Sequence, residues 1–294
     1  MRPTLSEELA RCIEFQREFE RARAGRVVRC VHGTAYFHDD LPKVFDLNVL
    51  SVDLGASAGV AELAAEAEAV QGAAGLAHRK IAIDDELGSA LAPDFRERGW
   101  LVNELVVMPH RRRPPPVDVS AVEEVEVDEL VPVWANGMRN YPGVADEETV
   151  RQLVKAQLLR SRAVHVRYFA TRVEGRIASY CELFSDGRSG QIESVMAGEE
   201  FRGRGLGKAV VAGALAASQA VHDFTFIVAD AGDWPKELYG KLGFEAAGST
   251  FSFVRRPGDA SEQPAAPSRA TASPSARLRT GRRAARHARA RPPS

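Results

Sequence analysis

The sequence predicts a mixed α/β protein built from two related units in tandem. Each unit is expected to hold a central sheet of mixed antiparallel and parallel strands flanked by helices, and a disordered tail follows the second. Three observations carry this. Helix-period and strand-like segments alternate through both halves, the pattern of a sheet with helices on its faces. The run Phe95-Arg96-Glu97-Arg98-Gly99-Trp100 is echoed by Leu238-Tyr239-Gly240-Lys241-Leu242-Gly243-Phe244, so a helix, a glycine, an aromatic and a strand recur in each half. Between the halves stands Pro109-His110-Arg111-Arg112-Arg113-Pro114-Pro115-Pro116, whose consecutive prolines end any helix and favour an extended connector. The expected organisation is an N-terminal unit over residues 1–108, a solvated Arg/Pro linker over 109–116, a second unit over 117–255 and a basic tail over 256–294. A chain of 294 residues suits two domains, and its 45% apolar share can fill their cores.

The first unit opens with an amphipathic helix over 6–24, with Ser6 as its N-cap. Strand-like runs follow at 26–31 and 44–50, then an Ala- and Glu-rich helix over 59–71 and a strand over 77–83. A helix over 87–98 leads through Gly99-Trp100-Leu101 into a strand at 104–108. The acidic runs Asp39-Asp40 and Asp84-Asp85-Glu86 read as solvated turns. The second unit starts with a strand at 120–127 and helices over 128–138 and 146–160. Alternating strands at 164–171 and 177–184 are joined by the turn Glu174-Gly175-Arg176, a hairpin signal. A strand at 191–197, a small-residue helix over 208–221 and a buried strand at 224–229 complete the series.

Between the 191–197 strand and the 208–221 helix lies Arg202-Gly203-Arg204-Gly205-Leu206-Gly207. A glycine-rich turn that opens a helix makes an anion site from free backbone N–H groups and the positive end of the helix dipole. Glycine also lets a ligand approach the backbone with no Cβ in the way. The arginines add charge suited to phosphate. A Walker loop is excluded because Ala209 follows Lys208, leaving no hydroxyl for magnesium, and the alternating glycines do not fit a dinucleotide fingerprint. What fits is [QR]-x-x-G-x-[GA], carried by Arg202, Gly205 and Gly207. Beyond the next strand comes Leu238-Tyr239-Gly240-Lys241-Leu242-Gly243-Phe244, with Pro235 suited to the first turn of a short helix and Gly243 to its C-terminal cap.

In order and spacing these two motifs resemble the GNAT family of N-acetyltransferases, over residues 117–254. The resemblance implies acetyl-CoA as cosubstrate and no metal. Arg202, Gly203, Arg204, Gly205, Leu206, Gly207 and Lys208 would bind the pyrophosphate. The backbone of Val195, Met196 and Ala197 would pair with the pantetheine arm and stabilise the oxyanion. The glycine loop does not recur in the first unit, which is therefore expected to be a degenerate GNAT-like domain that shapes the acceptor cleft or a dimer contact. Two positions depart from the family. Glu199 stands where proline is frequent, and Gly232 or Asp233 stands where a helix-opening asparagine is frequent.

Acetyl transfer to an amine requires loss of an amine proton, stabilisation of an oxyanion and departure of a thiolate. An alkyl amine is mostly protonated at neutral pH, so a general base helps. Glu193, in the strand before the loop, is the candidate base; its competing reading is a solvent-facing or ion-paired strand residue. Tyr239 is the candidate acid toward the departing thiolate, against a purely packing role beside the 224–229 strand. No activated nucleophile stands near the loop, so direct attack in a ternary complex is expected, with Cys181 as a remote alternative for a covalent intermediate. In the family, the link between the first two helices lines the acceptor cleft, here residues 136–142. Tyr141, Asn140, Tyr180 and Glu182 are candidate amine contacts, each equally readable as ordinary structure. His165 and His222 lack partners at metal-ligand spacing.

Composition narrows the setting. No apolar run approaches the ~20 residues of a membrane span, and the N-terminus carries acids where a secretory signal is apolar. Cys12, Cys30 and Cys181 are isolated, indicating neither a disulfide framework nor a zinc cluster. The cytoplasm is the expected location. The formal net charge of −1 conceals eight arginines after residue 256 against Asp259 and Glu262. Weak contacts with nucleic acid or acidic surfaces would fall to this tail, through Arg282, Arg283, Arg286, Arg289 and Arg291, though a solvated extension is the simpler reading. The expected activity is transfer of an acetyl group from acetyl-CoA to a primary amine on a small molecule or a protein N-terminus. The alternatives are a non-catalytic acyl-CoA sensor that reaches a partner through its tail, and transfer of a longer acyl group. A monomer and a homodimer both fit.

Overall fold

The computed structural model describes residues 6–141, 144, 146–233 and 235–256. The expected tail from Pro257 onward, Pro142 of the 136–142 stretch and Trp234 lie outside the described residues.

The first half runs α1 (Glu7–Arg23), β1 (Arg26–Arg29), β2 (Gly33–Phe37), β3 (Val49–Val52), α2 (Val60–Ala73), β4 (Arg79–Ile83), α3 (Glu86–Glu97) and β5 (Leu101–Pro109). The second runs β6 (Val122–Val125), α4 (Val127–Arg139), α5 (Glu147–Leu158), β7 (His165–Val173), β8 (Arg176–Ser185), β9 (Ser189–Ala197), α6 (Leu206–Gln219), β10 (Phe224–Asp230), α7 (Pro235–Lys241) and β11 (Gly248–Arg255). The helix starts follow their caps. Ser6 accepts from the Leu9 N–H at 3.2 Å, and Asp146 accepts from the Thr149 N–H at 2.8 Å. Glu174 (φ 51°) and Gly175 (φ 76°) form the two-residue left-handed turn that matches the twist of the β7–β8 hairpin.

The described strands make one sheet in the order β1-β2-β3-β4-β11-β5-β10-β9-β8-β7-β6. The β3/β4 and β9/β10 pairs are parallel and the others antiparallel. Each parallel pair is bridged by a helix, α2 in the first half and α6 in the second, so the two halves repeat one plan. Their final strands are exchanged: β5 lies against β10 of the second half, and β11 lies against β4 of the first. Phe251 and Phe253 of β11 accordingly sit in the core of the first half, where Phe253 stacks on Phe95 with ring centroids 4.0 Å apart.

The sequence echo is a repeated helix end. Gly99 (φ 75°) and Gly243 (φ 93°) take the left-handed conformation after α3 and α7. The Trp100 N–H then bonds back to the Phe95 carbonyl at 3.0 Å, and the Phe244 N–H to the Tyr239 carbonyl at 3.1 Å. This is the six-residue closure of a glycine-terminated helix.

Three expectations change. Residues 44–50 are a short 3-10 turn, Phe45–Leu47, followed by β3 rather than one strand. Buried Asn48 holds that turn by donating to the Leu41 and Val44 carbonyls at 2.8 and 2.9 Å. The start of the connector is docked rather than solvated: Arg111 pairs with Glu8, and Arg112 with Glu245 and the Gly240 carbonyl. Asp84 is bonded to Arg17 at 2.7 Å, and Asp85 caps α3, so neither is a free turn residue.

Candidate active site

The site begins with an irregularity in β9. Opposite β8, Met196 faces Tyr180 while Glu193 faces Glu182, so β9 carries one extra residue. Ser194, within this bulge, takes φ 54°, a left-handed conformation rare for a residue with a side chain. The parallel ladder to β10 runs from Ser189 to Ile192 and stops, while β10 continues to Asp230 against β5. Beyond Ile192 the two strands therefore part, and the β10-facing edge of Val195, Met196 and Ala197 lies along a gap in the sheet.

The bulge is held from behind. Arg160, in the 3-10 turn after α5, donates one nitrogen to both carboxylate oxygens of Glu182 at 2.7 Å and to Ser194 Oγ at 2.8 Å. Glu182 is fully buried, so it is a structural anchor and not an amine contact. The sequence offered no signal for this trio, whose members lie on three different elements.

At the mouth of the gap stands the glycine turn. Gly203 (φ 79°) and Gly205 (φ 80°) are both left-handed, and Gly205 is the N-cap of α6 with no side chain capping it. The first-turn N–H groups of Leu206, Gly207 and Lys208 have no acceptor within the helix. A Cβ built on Gly203, Gly205 or Gly207 would meet nothing within 4 Å, so the space over the loop is open. Arg202 pairs with Glu199 at 3.3 Å, and Arg204 lies over the Phe201 ring. No acidic residue sits in the first turn of α6. The corresponding α2 of the first half differs: Glu62 reaches back to the Gly59 N–H at 2.7 Å and places its own carboxylate at the helix start. The open cradle at α6 fits the pyrophosphate of acetyl-CoA; the start of α2 is already filled.

Glu193 and Tyr239 flank the gap from opposite faces. Tyr239 is buried with Val210, Ile227 and Phe244 on the α6–α7 side, and burial followed by the nearby Glu193 charge raises its phenol. Glu193 belongs to the other face, where Gln191 Nε2 donates to it at 2.6 Å. Burial pushes its carboxyl above the ordinary range, while Arg160 opposes the shift. The α1 helix contributes here unexpectedly: Arg23 is drawn down to about 10 by burial and by Arg160. In the first half Tyr239 is replaced by Phe95, which has no hydroxyl. Cys181 is sealed, its thiol 3.3 Å from the Val210 carbonyl and raised by burial, which removes it as a nucleophile.

Next to the gap a cavity of about 1410 Å³ opens between the halves. The second half contributes Trp134, Met138, Tyr141, Tyr180, Met196 and Ala197, and the first contributes Phe45, Asp46, His78 and Lys80. Glu193 does not line it and lies farther back along β9. Asn140 lines it too, with its amide turned to the Asn136 carbonyl at 2.9 Å. The wall carboxylates are paired with wall bases: Asp46 with Lys80, Asp146 with Lys43, Glu129 with Arg172, Glu199 with Arg202 and Glu200 with Arg176. His165 lies away from this region in β7, and His222 bonds Ser185 and Ser218 at 2.6 and 3.0 Å. Among the described residues no cluster could hold a metal, and no helix is long and apolar enough to cross a membrane.

Residues 128–254 match the family model of the acetyltransferase (GNAT) domain. The full tandem fold is shared with solved structures. A conserved protein of unknown function from Staphylococcus epidermidis is 13% identical, with 79% of this chain and 94% of that one covered at a TM-score of 0.61. A GCN5-related N-acetyltransferase from Kribbella flavida is 20% identical, with 85% and 96% covered at 0.55. No curated protein matches the sequence. The family supports acyl-CoA-dependent acetyl transfer as the general activity of the second half.

Proposed function

We propose that the protein transfers the acetyl group of acetyl-CoA to a primary amine by direct attack in a ternary complex. The observation that carries this is the gap between β9 and β10, which leads from the uncapped glycine turn of α6 to the cavity between the halves. Acetyl-CoA would supply the thioester. The first-turn N–H groups of α6 and the arginines of the loop would bind its pyrophosphate. The free edge of Val195, Met196 and Ala197 would pair with the pantetheine arm and donate to the oxyanion. Glu193, on the acceptor face, would take the amine proton through water, since it stands back from the cavity. Tyr239, on the opposite face, would donate to the thiolate.

Calorimetric titration with acetyl-CoA tests the first step. The Gly207→Glu variant puts a carboxylate over the turn without demanding a left-handed backbone, and is expected to weaken binding at least about tenfold. Unchanged affinity would overturn the assignment of the loop. In an assay of amine-dependent thiol release, Glu193→Gln is expected to lower kcat by about a hundredfold with the KM for acetyl-CoA unchanged. The base must be ionised, so wild-type activity should fall as pH drops through the raised Glu193 pKa, above the ordinary carboxylate range. The variant should lose that limb; retaining it would exclude Glu193 as the base.

A further inference from the structure

The Glu193 carboxylate is held at both of its oxygens. Gln191 Nε2 donates to Oε1 at 2.6 Å, and the Ser194 N–H donates to Oε2 at 3.3 Å. Ser194 is the left-handed residue of the bulge, itself fixed through its hydroxyl by Arg160 at 2.8 Å. Four charged or titratable groups face the same carboxyl: Arg160 after α5, Arg23 of α1, Glu182 of β8 and Tyr239 of α7. The two cations favour its ionised form through space, and Glu182 opposes it.

Gln191 stands where a polar side chain is costly. It is 3% exposed, and the residues opposite it are Phe184 of β8 and Phe226 of β10, both buried. Phe15 and Phe19 of α1 pack on Phe226 and Phe184, with ring centroids 5.4 and 5.1 Å apart. Gln191 Oε1 has no hydrogen-bond partner in this aromatic enclosure. A methionine would fill nearly the same space and leave no buried oxygen unmatched, so packing gives no reason for an amide here. The described hydrogen bond of that amide goes to Glu193. It also fixes which end of the amide faces the carboxylate, because an ionised carboxyl only accepts. Sealed from solvent, the position offers no water to take over the bond.

We propose that Gln191 is a positioning residue for acetyl transfer, its amide holding the Glu193 carboxylate ionised and in one orientation. This rests on Glu193 being the base. Carbon-13 NMR of the full chain labelled at its glutamate carboxyls reads that group without an acceptor, the resonance absent from Glu193→Gln being its own. In Gln191→Met its titration midpoint should rise by at least about one pH unit, because a donor to the ionised form is lost while burial remains. Gln191→Glu sets two acids in contact, and the pair should keep one proton at a pH where the wild type has lost its own. Calorimetric affinity for acetyl-CoA should stay within about twofold in both variants. In amine-dependent thiol release the acidic limb of Gln191→Met should move up with the midpoint, with the KM for acetyl-CoA unchanged. An unmoved midpoint overturns the proposal, as does loss of acetyl-CoA affinity in both variants, which would make Gln191 a packing residue. A limb retained in Glu193→Gln overturns the base and this proposal together. A limb lost there but unmoved in Gln191→Met leaves the base standing and removes the positioning role.

Discussion

Ser194 holds a conformation that costs a serine about 1–3 kcal/mol, and what keeps it there is a guanidinium and a carboxylate out of water. Arg160→Met would leave Glu182 buried without its counter-charge, and is expected to destabilise the protein by about 3–5 kcal/mol in urea unfolding. Ser194→Gly removes the backbone strain instead. It should leave stability equal or higher by about 1 kcal/mol and preserve acetyl-CoA affinity. Loss of affinity with stability intact would show that the serine hydroxyl, rather than the bulge, shapes the gap. At this scale the sequence was legible wherever chemistry is written locally. Alternating glycines before a helix announce an open turn because no other residue takes those φ values cheaply. Ser194 carries no such mark, since a serine inside a strand-like run reads as strand. Arg160 and Glu182 become partners only once the turn after α5 is folded against β8.

The elements follow their local signals where cap and period agree, as in α1, α6 and the β7–β8 hairpin. They fail to where tertiary contacts decide. β2 was not legible: Gly33-Thr34-Ala35-Tyr36-Phe37 begins with a glycine and is short, and it is a strand because β1 and β3 pair with it on both sides, Gly33 lying so close to Ser51 that any Cβ would collide with the Ser51 carbonyl. The apolar run at 44–50 promised a strand, but Asn48 diverts its first part into a turn. The strand exchange has no local signal at all, since the hydrophobic pattern of β11 is the same whichever neighbour it joins. Its energetic consequence is testable with Phe253→Ala. Removing a fully buried ring stacked on Phe95 should cost about 3–5 kcal/mol. The loss should loosen the first half, seen as faster amide exchange in β4 and α3, although Phe253 lies in the second half of the sequence. Exchange confined to β10 and α7 would contradict the packing described.

Across the whole molecule, one sheet joined through β11 and β5 leaves no seam at which the halves come apart. Thermal unfolding followed by far-ultraviolet circular dichroism and by tryptophan fluorescence is expected to give one coincident transition. Two separate transitions would mean that each half keeps its own core. The tandem organisation was legible from the repeated helix end and the proline run. The sequence left the first half to shape either an acceptor cleft or a dimer contact and named none of its cavity residues, because Phe45, His78 and Lys80 reach the cavity through long-range packing. The exchange also bears on how the chain comes off the ribosome. The first half cannot join its four-strand sheet to β5 until β11, which follows every other described strand in the sequence, has emerged. Until then the β4 edge stays open, and such an edge is a template for the strands of other chains. Nascent chains held short of Gly248 should therefore depend on chaperones, and fragments that stop there should aggregate from their N-terminal half.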